Sequence, residues 1–87
     1  MKNQTTEIQI IVSAAKLPEY DPSTIKALMH RLDMNERAFS LIMNVTPMTV
    51  RLWTSGAVQP CRLSCRLMQI FDACPEIIGT IVSREIH

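Results

Sequence analysis

The feature that most constrains this chain is a run of helix start and stop signals between Asn35 and Gly56. Asn35 is a favoured N-cap residue, and asparagine, as at Asn44, is the non-glycine residue type that best tolerates left-handed backbone. Thr46 followed by Pro47 repeats a helix start, and Gly56 supplies a stop. These signals predict two short helices joined by a tight turn, which is a helix-turn-helix.

Apolar spacing predicts which face of each helix is buried. In the first helix the apolar residues recur at helical intervals, and in the second they fall three residues apart. Ser40 is small enough to let the two helices approach closely. The predicted inward positions of the pair are Ala38, Phe39, Ile42, Met43, Val50 and Trp53.

The residue order in this stretch resembles the helix-turn-helix of the phage repressor and Cro class, and more closely the small bacterial regulators and antitoxins that share it. The resemblance covers roughly residues 21–75, and two positions depart from it. Glu36 stands where the family usually has a Gln that helps grip a phosphate, so we expect it to repel one. Asn44 stands where the family turn usually has Gly. The matching positions are Val45-Thr46-Pro47, Thr49-Val50, Trp53, Gly56 and Pro60, preceded by Ile25-Lys26-Ala27-Leu28 and Arg31-Leu32.

The resemblance implies that the helix beginning after Thr46 enters the major groove of double-stranded DNA. Only Arg51 on that helix can form paired hydrogen bonds to guanine O6 and N7. The reading edge is otherwise apolar, so a surface for a protein partner, such as a cognate toxin, is the alternative. The implied base-reading residues are Met48, Thr49, Arg51 and Leu52, and the implied backbone contacts are Arg37, Thr46, Ser55 and Arg62.

Composition places the chain among small all-α domains. Its 87 residues suffice for one core, and a hydrophobic content of 47% excludes a disordered chain. Only two glycines occur, which favours helices over many tight β turns. We expect a compact domain of four to five helices at residues 21–87, preceded by an N-terminal extension at residues 1–20.

Positive charge is concentrated around the helix-turn-helix. The net charge is +1, yet between Asn35 and Arg66 four arginines stand against one acid, Glu36, for a local charge of +3. A cationic face on a near-neutral protein suits contact with the DNA backbone. The same arginines would also fit an ordinary solvated face.

Residues 6–17 leave two interpretations open. Ile8, Ile10 and Val12 alternate with polar residues as in a strand, whereas Thr6 and Gln9 form a capping-box pattern typical of a helix. Beyond this segment, apolar spacing predicts helices from Asp21-Pro22 to about Leu32, from about Cys61 to Ala73, and from Glu76 to about Arg84. The predicted buried residues of the first two are Ile25, Leu28, Met29 and Leu32, and then Leu63, Leu67, Ile70, Phe71 and Cys74.

The final helix offers a seam for a homodimer. Its apolar residues form two adjacent ridges, wider than one helix needs to cover so small a core. Gly79 would let a partner helix approach closely. The alternative is that both ridges fold inward over Phe71. The predicted interface residues are Ile77, Ile78, Ile81 and Val82.

The remaining chemistry of the sequence is sparse. Three cysteines without framework spacing argue against a secreted disulfide scaffold, so we expect the cytoplasm and structural thiols that pack like small hydrophobic residues. The alternative is a redox switch through Cys61 and Cys65, with Cys61 exposed at a helix start. No apolar run approaches a membrane span. A Gly-rich phosphate loop, a nucleophile elbow and an apolar carboxylate pair are all missing. We therefore expect no enzyme, no cofactor and no metal.

Overall fold

The regular structure of this chain is helical throughout the part that the computed structural model describes, which is Gln9 and residues 19–86. No strand occurs there, so the predicted all-α class is confirmed. The choice between helix and strand at residues 6–17 lies outside the described residues, apart from Gln9. The helices are α1 Pro22–Arg31, α2 Glu36–Met43, α3 Pro47–Ser55, α4 Arg62–Ala73 and α5 Glu76–Ile86.

Helix α1 begins where cap chemistry predicts. The Asp21 carboxylate accepts hydrogen bonds from the backbone N–H of Thr24 at 2.8 Å and from the hydroxyls of Thr24 and Ser23. These bonds, led by the one from the Thr24 hydroxyl, hold the pKa of Asp21 below its ordinary value. Pro22 occupies the first turn, where a missing N–H leaves no intrahelical bond unmade.

The predicted stop and start signals between α2 and α3 are confirmed. Asn35 caps α2 by accepting from the N–H of Ala38 at 2.8 Å. Asn44 ends α2 in the left-handed conformation at φ 61°, and the N–H of Val45 donates to the carbonyl of Ser40 at 2.9 Å. Because Ser40 is almost fully buried, only a small side chain allows α2 and α3 to approach this closely.

The core lies among α1, α2, α3 and α4. The inward residues predicted for α1 are buried except Leu32, which is half-buried at the end of the helix. In the helix-turn-helix, four of the six predicted inward residues are buried, while Ala38 and Ile42 are half-buried. Burying one such side chain contributes about 1.5–3 kcal/mol. The buried apolar residues are Tyr20, Ile25, Leu28, Met29, Phe39, Met43, Val50, Trp53, Met68 and Phe71.

Helix α4 is rotated from its predicted orientation. Leu63 is 78% exposed and Ile70 is 42% exposed, although both were expected in the core. The predicted buried Cys74 is also exposed, whereas Met68 is completely buried. Of the predicted residues, Phe71 is buried and Leu67 is half-buried against the core, as expected. The side of α4 that packs inward therefore carries Met68 and Phe71, and it overlaps the predicted face only in part.

Two further placements bear on function. Tyr20, the last residue of the predicted N-terminal extension, packs in the core, so the packed domain includes it. In α5, Ile78 packs against the core while Ile77, Ile81 and Val82 are exposed. None of the helices in the described part of the chain has the length and apolar character needed to cross a membrane.

Candidate nucleic-acid interface

The candidate interface is the outward face of α3. Val50 and Trp53 are buried on the inward side, which fixes the rotation of the helix. Met48 is 54% exposed on the opposite side, and Arg51 is exposed beside it. Thr49 and Leu52 are half-buried at the edges of this face. The structure therefore brings the predicted base-reading residues onto one side of α3, with Met48 and Arg51 projecting furthest into solvent.

The N-terminus of α3 has little free capacity for an anion. Thr46 caps the helix, its hydroxyl accepting from the N–H of Thr49 at 3.2 Å and lying 3.0 Å from the Thr49 hydroxyl. Pro47 has no N–H. Among the described residues, the N–H of Met48 has no hydrogen-bond partner. The groups at this terminus that remain able to contact a phosphate are therefore the Met48 amide and the Thr46 hydroxyl beside it.

Arg51 forms an ion pair with Glu36 at the start of α2. Its Nε and Nη2 donate to the two carboxylate oxygens of Glu36, at 3.3 and 2.9 Å. These bonds lower the pKa of Glu36 and raise that of Arg51. From the sequence, Glu36 is expected only to repel a phosphate. Glu36 lies in the first turn of α2, and Arg51 lies on the next helix, across the tight turn of the helix-turn-helix. An acid and an exposed arginine in these two positions are the signal that could have indicated the pair.

The predicted backbone contacts lie on three elements around α3. Arg37 is exposed in the first turn of α2, and Arg62 is exposed at the start of α4. Neither forms an ion pair with another residue of the described chain. Ser55 is exposed at the end of α3, but its hydroxyl donates to the carbonyl of Leu52 at 3.2 Å and accepts from the N–H of Ala57 at 3.4 Å. Ser55 must exchange the bond to Leu52 before it can donate to a phosphate.

The pairing of arginines changes the charge expected for this surface. The Glu36 carboxylate compensates Arg51, and the Asp72 carboxylate compensates Arg31. Arg66 is half-buried, and it hydrogen-bonds to the uncharged side chain of Gln69 at 2.7 Å. The exposed arginines beside α3 that keep their charge uncompensated by a described acid are therefore Arg37 and Arg62.

An open groove that sequence reasoning missed lies between the start of α1 and the connection from α3 to α4. Its volume is about 700 Å³. Tyr20, Trp53 and Arg62 line it, together with Cys65. The loop from Gly56 to Pro60, which cannot be placed by helical spacing, forms its other wall.

The cysteines fit the expectation of buried thiols only in part. Cys65 is half-buried, and burial raises the pKa of its thiol. Cys74 is exposed, contrary to that expectation, and Cys61 is exposed at the start of α4. A hydrogen bond with the Ser64 hydroxyl, 3.3 Å away, lowers the pKa of the Cys61 thiol. No group of three or more metal-ligating side chains forms within the described residues.

The predicted dimer residues of α5 form an incomplete apolar strip. Ile77, Ile81 and Val82 are exposed together, whereas Ile78 turns toward the core. A side chain added at Gly79 would meet nothing within 4 Å, so the surface beside the strip is open.

Comparison of the whole chain with protein-family models and with curated proteins gives no match.

Proposed function

We propose that this protein is a sequence-specific DNA-binding transcriptional repressor that acts as a two-fold dimer on an inverted-repeat operator. The observation that carries the proposal is the presentation of α3. Its inward residues Val50 and Trp53 are buried, and its outward face projects from the domain with Met48 and Arg51 exposed. An α-helix presented this way fits the major groove of B-DNA.

Base reading is assigned to the outward face of α3. Arg51 reads guanine, because a guanidinium can donate to O6 and N7 together. Met48 and Leu52 carry no donor and contact thymine methyl groups, and Thr49 lies at the edge. Such a surface favours a short site that combines one guanine with neighbouring thymines.

Backbone contacts position the helix on the duplex. Arg37 and Arg62 flank α3 from α2 and α4, and each offers a flexible charge to a phosphate. The Thr46 hydroxyl and the nearby Met48 amide contact a third phosphate. Ser55 contacts a fourth phosphate once its hydroxyl no longer donates to the carbonyl of Leu52. Phosphate contacts of this kind set register and make binding sensitive to salt.

A dimer is needed because one helix-turn-helix reads too few base pairs for useful specificity. The exposed strip of Ile77, Ile81 and Val82 supplies a self-complementary surface for a second copy of the chain. A two-fold pair through α5 would place two α3 helices about 34 Å apart, one turn of DNA. DNA binding of this kind places the protein in the cytoplasm, at the nucleoid.

The test is selection of bound sequences from random duplex DNA with the full chain. We expect an enriched inverted repeat whose half-sites contain a guanine, and binding that weakens steeply as salt rises. Recovery of no enriched sequence, together with salt-independent or absent duplex binding, would overturn the proposal.

Exposed apolar side chains favour a second candidate, a helix-turn-helix that binds a protein such as a toxin. Leu41 of α2 is 72% exposed, and Met48 is exposed on the neighbouring helix. Exposed apolar surface is typical of partner sites. A complex through these residues would tolerate high salt, whereas a DNA complex would not, so a salt titration separates the two functions.

A further inference from the structure

The pair of Glu36 and Arg51 leaves a particular edge of the guanidinium available. Arginine carries five N–H donors, one on Nε and two on each Nη. The N–H of Nε and one N–H of Nη2 are engaged by the two oxygens of Glu36. The two hydrogens of Nη1 and the second hydrogen of Nη2 remain. The end of the fork is therefore free to donate two parallel hydrogen bonds away from α2.

The free end of the fork has the chemistry that guanine recognition requires. Two adjacent N–H groups can donate to O6 and N7 of a guanine at the same time. A lone arginine on a helix surface must give up side-chain freedom when it forms such a contact. Arg51 has already lost much of that freedom, because Glu36 holds the opposite edge from a second helix. The rigid packing of α2 against α3 makes this a preorganised contact.

The carboxylate also changes what Arg51 contributes to binding at random sequences. A free arginine attracts any phosphate, which adds to sequence-independent affinity. The charge of Arg51 is compensated locally by Glu36, so the pair adds little to that attraction. Its two outward donors remain available to a base. The pair should therefore weaken binding to random DNA more than it weakens binding to the operator.

We propose that Glu36 is a positioning residue that orients Arg51 for guanine and determines specificity by lowering the affinity for random DNA. This inference rests on the proposed DNA-binding function. It turns the departure from the family pattern at Glu36 into a specificity device of this chain.

The experiment compares Glu36→Gln and Glu36→Ala with the unchanged full chain. Each protein is titrated with the selected operator, with the operator changed at its guanine, and with random duplex. We expect both variants to bind random duplex more tightly. The dependence of their affinity on salt should also become steeper, by the amount expected for about one additional phosphate contact. Discrimination for guanine should fall, by less than the roughly 5- to 150-fold expected when the whole paired base contact is lost.

Glu19→Gln is the matched control, because Glu19 is exposed and lines the groove, whereas Arg51 does not line it and pairs with Glu36. It makes the same change in net charge and should leave guanine discrimination unchanged. Thermal unfolding of each variant checks that the domain is intact. A second background, Arg51→Ala, should abolish the effect of Glu36→Gln on discrimination, since the effect acts through Arg51.

The outcomes separate this inference from the function on which it rests. If Glu36→Gln strengthens operator and random binding by the same factor, Glu36 is only a repelling charge and the positioning role is wrong. Loss of discrimination that persists in the Arg51→Ala background would also overturn it. Failure of the unchanged chain to bind duplex DNA at low salt would overturn the proposed function and this inference together.

Discussion

The hydroxyl of Tyr20 donates to Oδ2 of Asp72 at 3.2 Å, across 52 residues of sequence. The other carboxylate oxygen, Oδ1, accepts from Nη2 of Arg31 at 2.7 Å. One side chain of α4 is thus tied both to the segment before α1 and to the end of α1. Because Asp72 follows Phe71, the same rotation of α4 that makes these bonds also turns Phe71 into the core.

The first prediction is that Tyr20 titrates abnormally. Burial, followed by the negative charge of Asp72 and the hydrogen bond to it, raises the pKa of Tyr20 from 10.0 to about 12. Since Tyr20 is the only tyrosine, the absorbance of tyrosinate reports it alone. Asp72→Asn should lower this pKa toward its ordinary value. Titration of the unchanged folded chain at 10.0 would contradict the environment described for Tyr20.

This raised pKa carries a consequence for stability. The folded state keeps the Tyr20 proton in a pH range where the unfolded chain has released it, so the contribution is complete below 10.0 and is lost as pH rises toward 12. The thermal midpoint should therefore fall more steeply over that range in the unchanged protein than in Tyr20→Phe. Parallel pH dependences would show that Tyr20 does not contribute to alkaline unfolding.

Trp53 is predicted to hold α3 to the core. It is only 4% exposed, and its removal leaves a large cavity in a domain with few buried residues. Trp53→Ala should lower the free energy of unfolding by about 3–5 kcal/mol, measured by chemical denaturation followed by circular dichroism. A protein that kept its stability but lost DNA binding would place Trp53 at the interface instead.

The rotation of α4 predicts opposite effects for two apolar residues of that helix. Met68 is fully buried, so Met68→Ala should cost about 2–5 kcal/mol of unfolding free energy. Leu63 is exposed, so Leu63→Ala should change stability by no more than about 0.5 kcal/mol. Denaturant unfolding of both variants measures the difference. The reverse order would restore the orientation predicted from spacing.

Arg51 and Arg62 are predicted to contribute differently to DNA binding. Arg51→Ala should relax specificity at one guanine, with discrimination lowered roughly 5- to 150-fold. Arg62→Ala should weaken binding equally at operator and random sequences. It should also make the dependence of affinity on salt shallower, by the amount expected for loss of about one phosphate contact. Fluorescence anisotropy with both DNAs at several salt concentrations measures each effect. Equal losses from Arg51→Ala on both DNAs would make it a backbone contact.

The apolar strip of α5 predicts a dimer that a single charge abolishes. Ile81→Asp places a carboxylate in the centre of the proposed seam, so we expect a folded monomer with reduced operator affinity, measured by light scattering and by operator titration. Thr80→Asp is the matched control, because Thr80 is exposed on the same helix but outside the apolar strip. A chain that remains dimeric with Ile81→Asp would contradict an interface through α5.

Much of the fold was determined by short-range chemistry that the sequence displays directly. A cap such as Asn35 or Thr46 bonds to a backbone N–H three residues later, so its effect requires no distant partner. The left-handed ends at Asn44 and Gly56 are equally local, because each depends on the conformational preference of one residue. For this reason the bounds of α2 and α3 and their buried faces were predictable.

Only the tertiary structure decided how these helices face their neighbours. The orientation of α4 buries Met68 and Phe71 and brings Asp72 to Tyr20 and Arg31, and no periodicity within α4 can reveal these partners. The pairing of Glu36 with Arg51 likewise arises because α2 and α3 cross closely, which brings an acid and a base on separate helices within 2.9 Å. Local preferences act between residues near in sequence, whereas the rotation of a helix and the partner of a charge depend on what packing brings near in space.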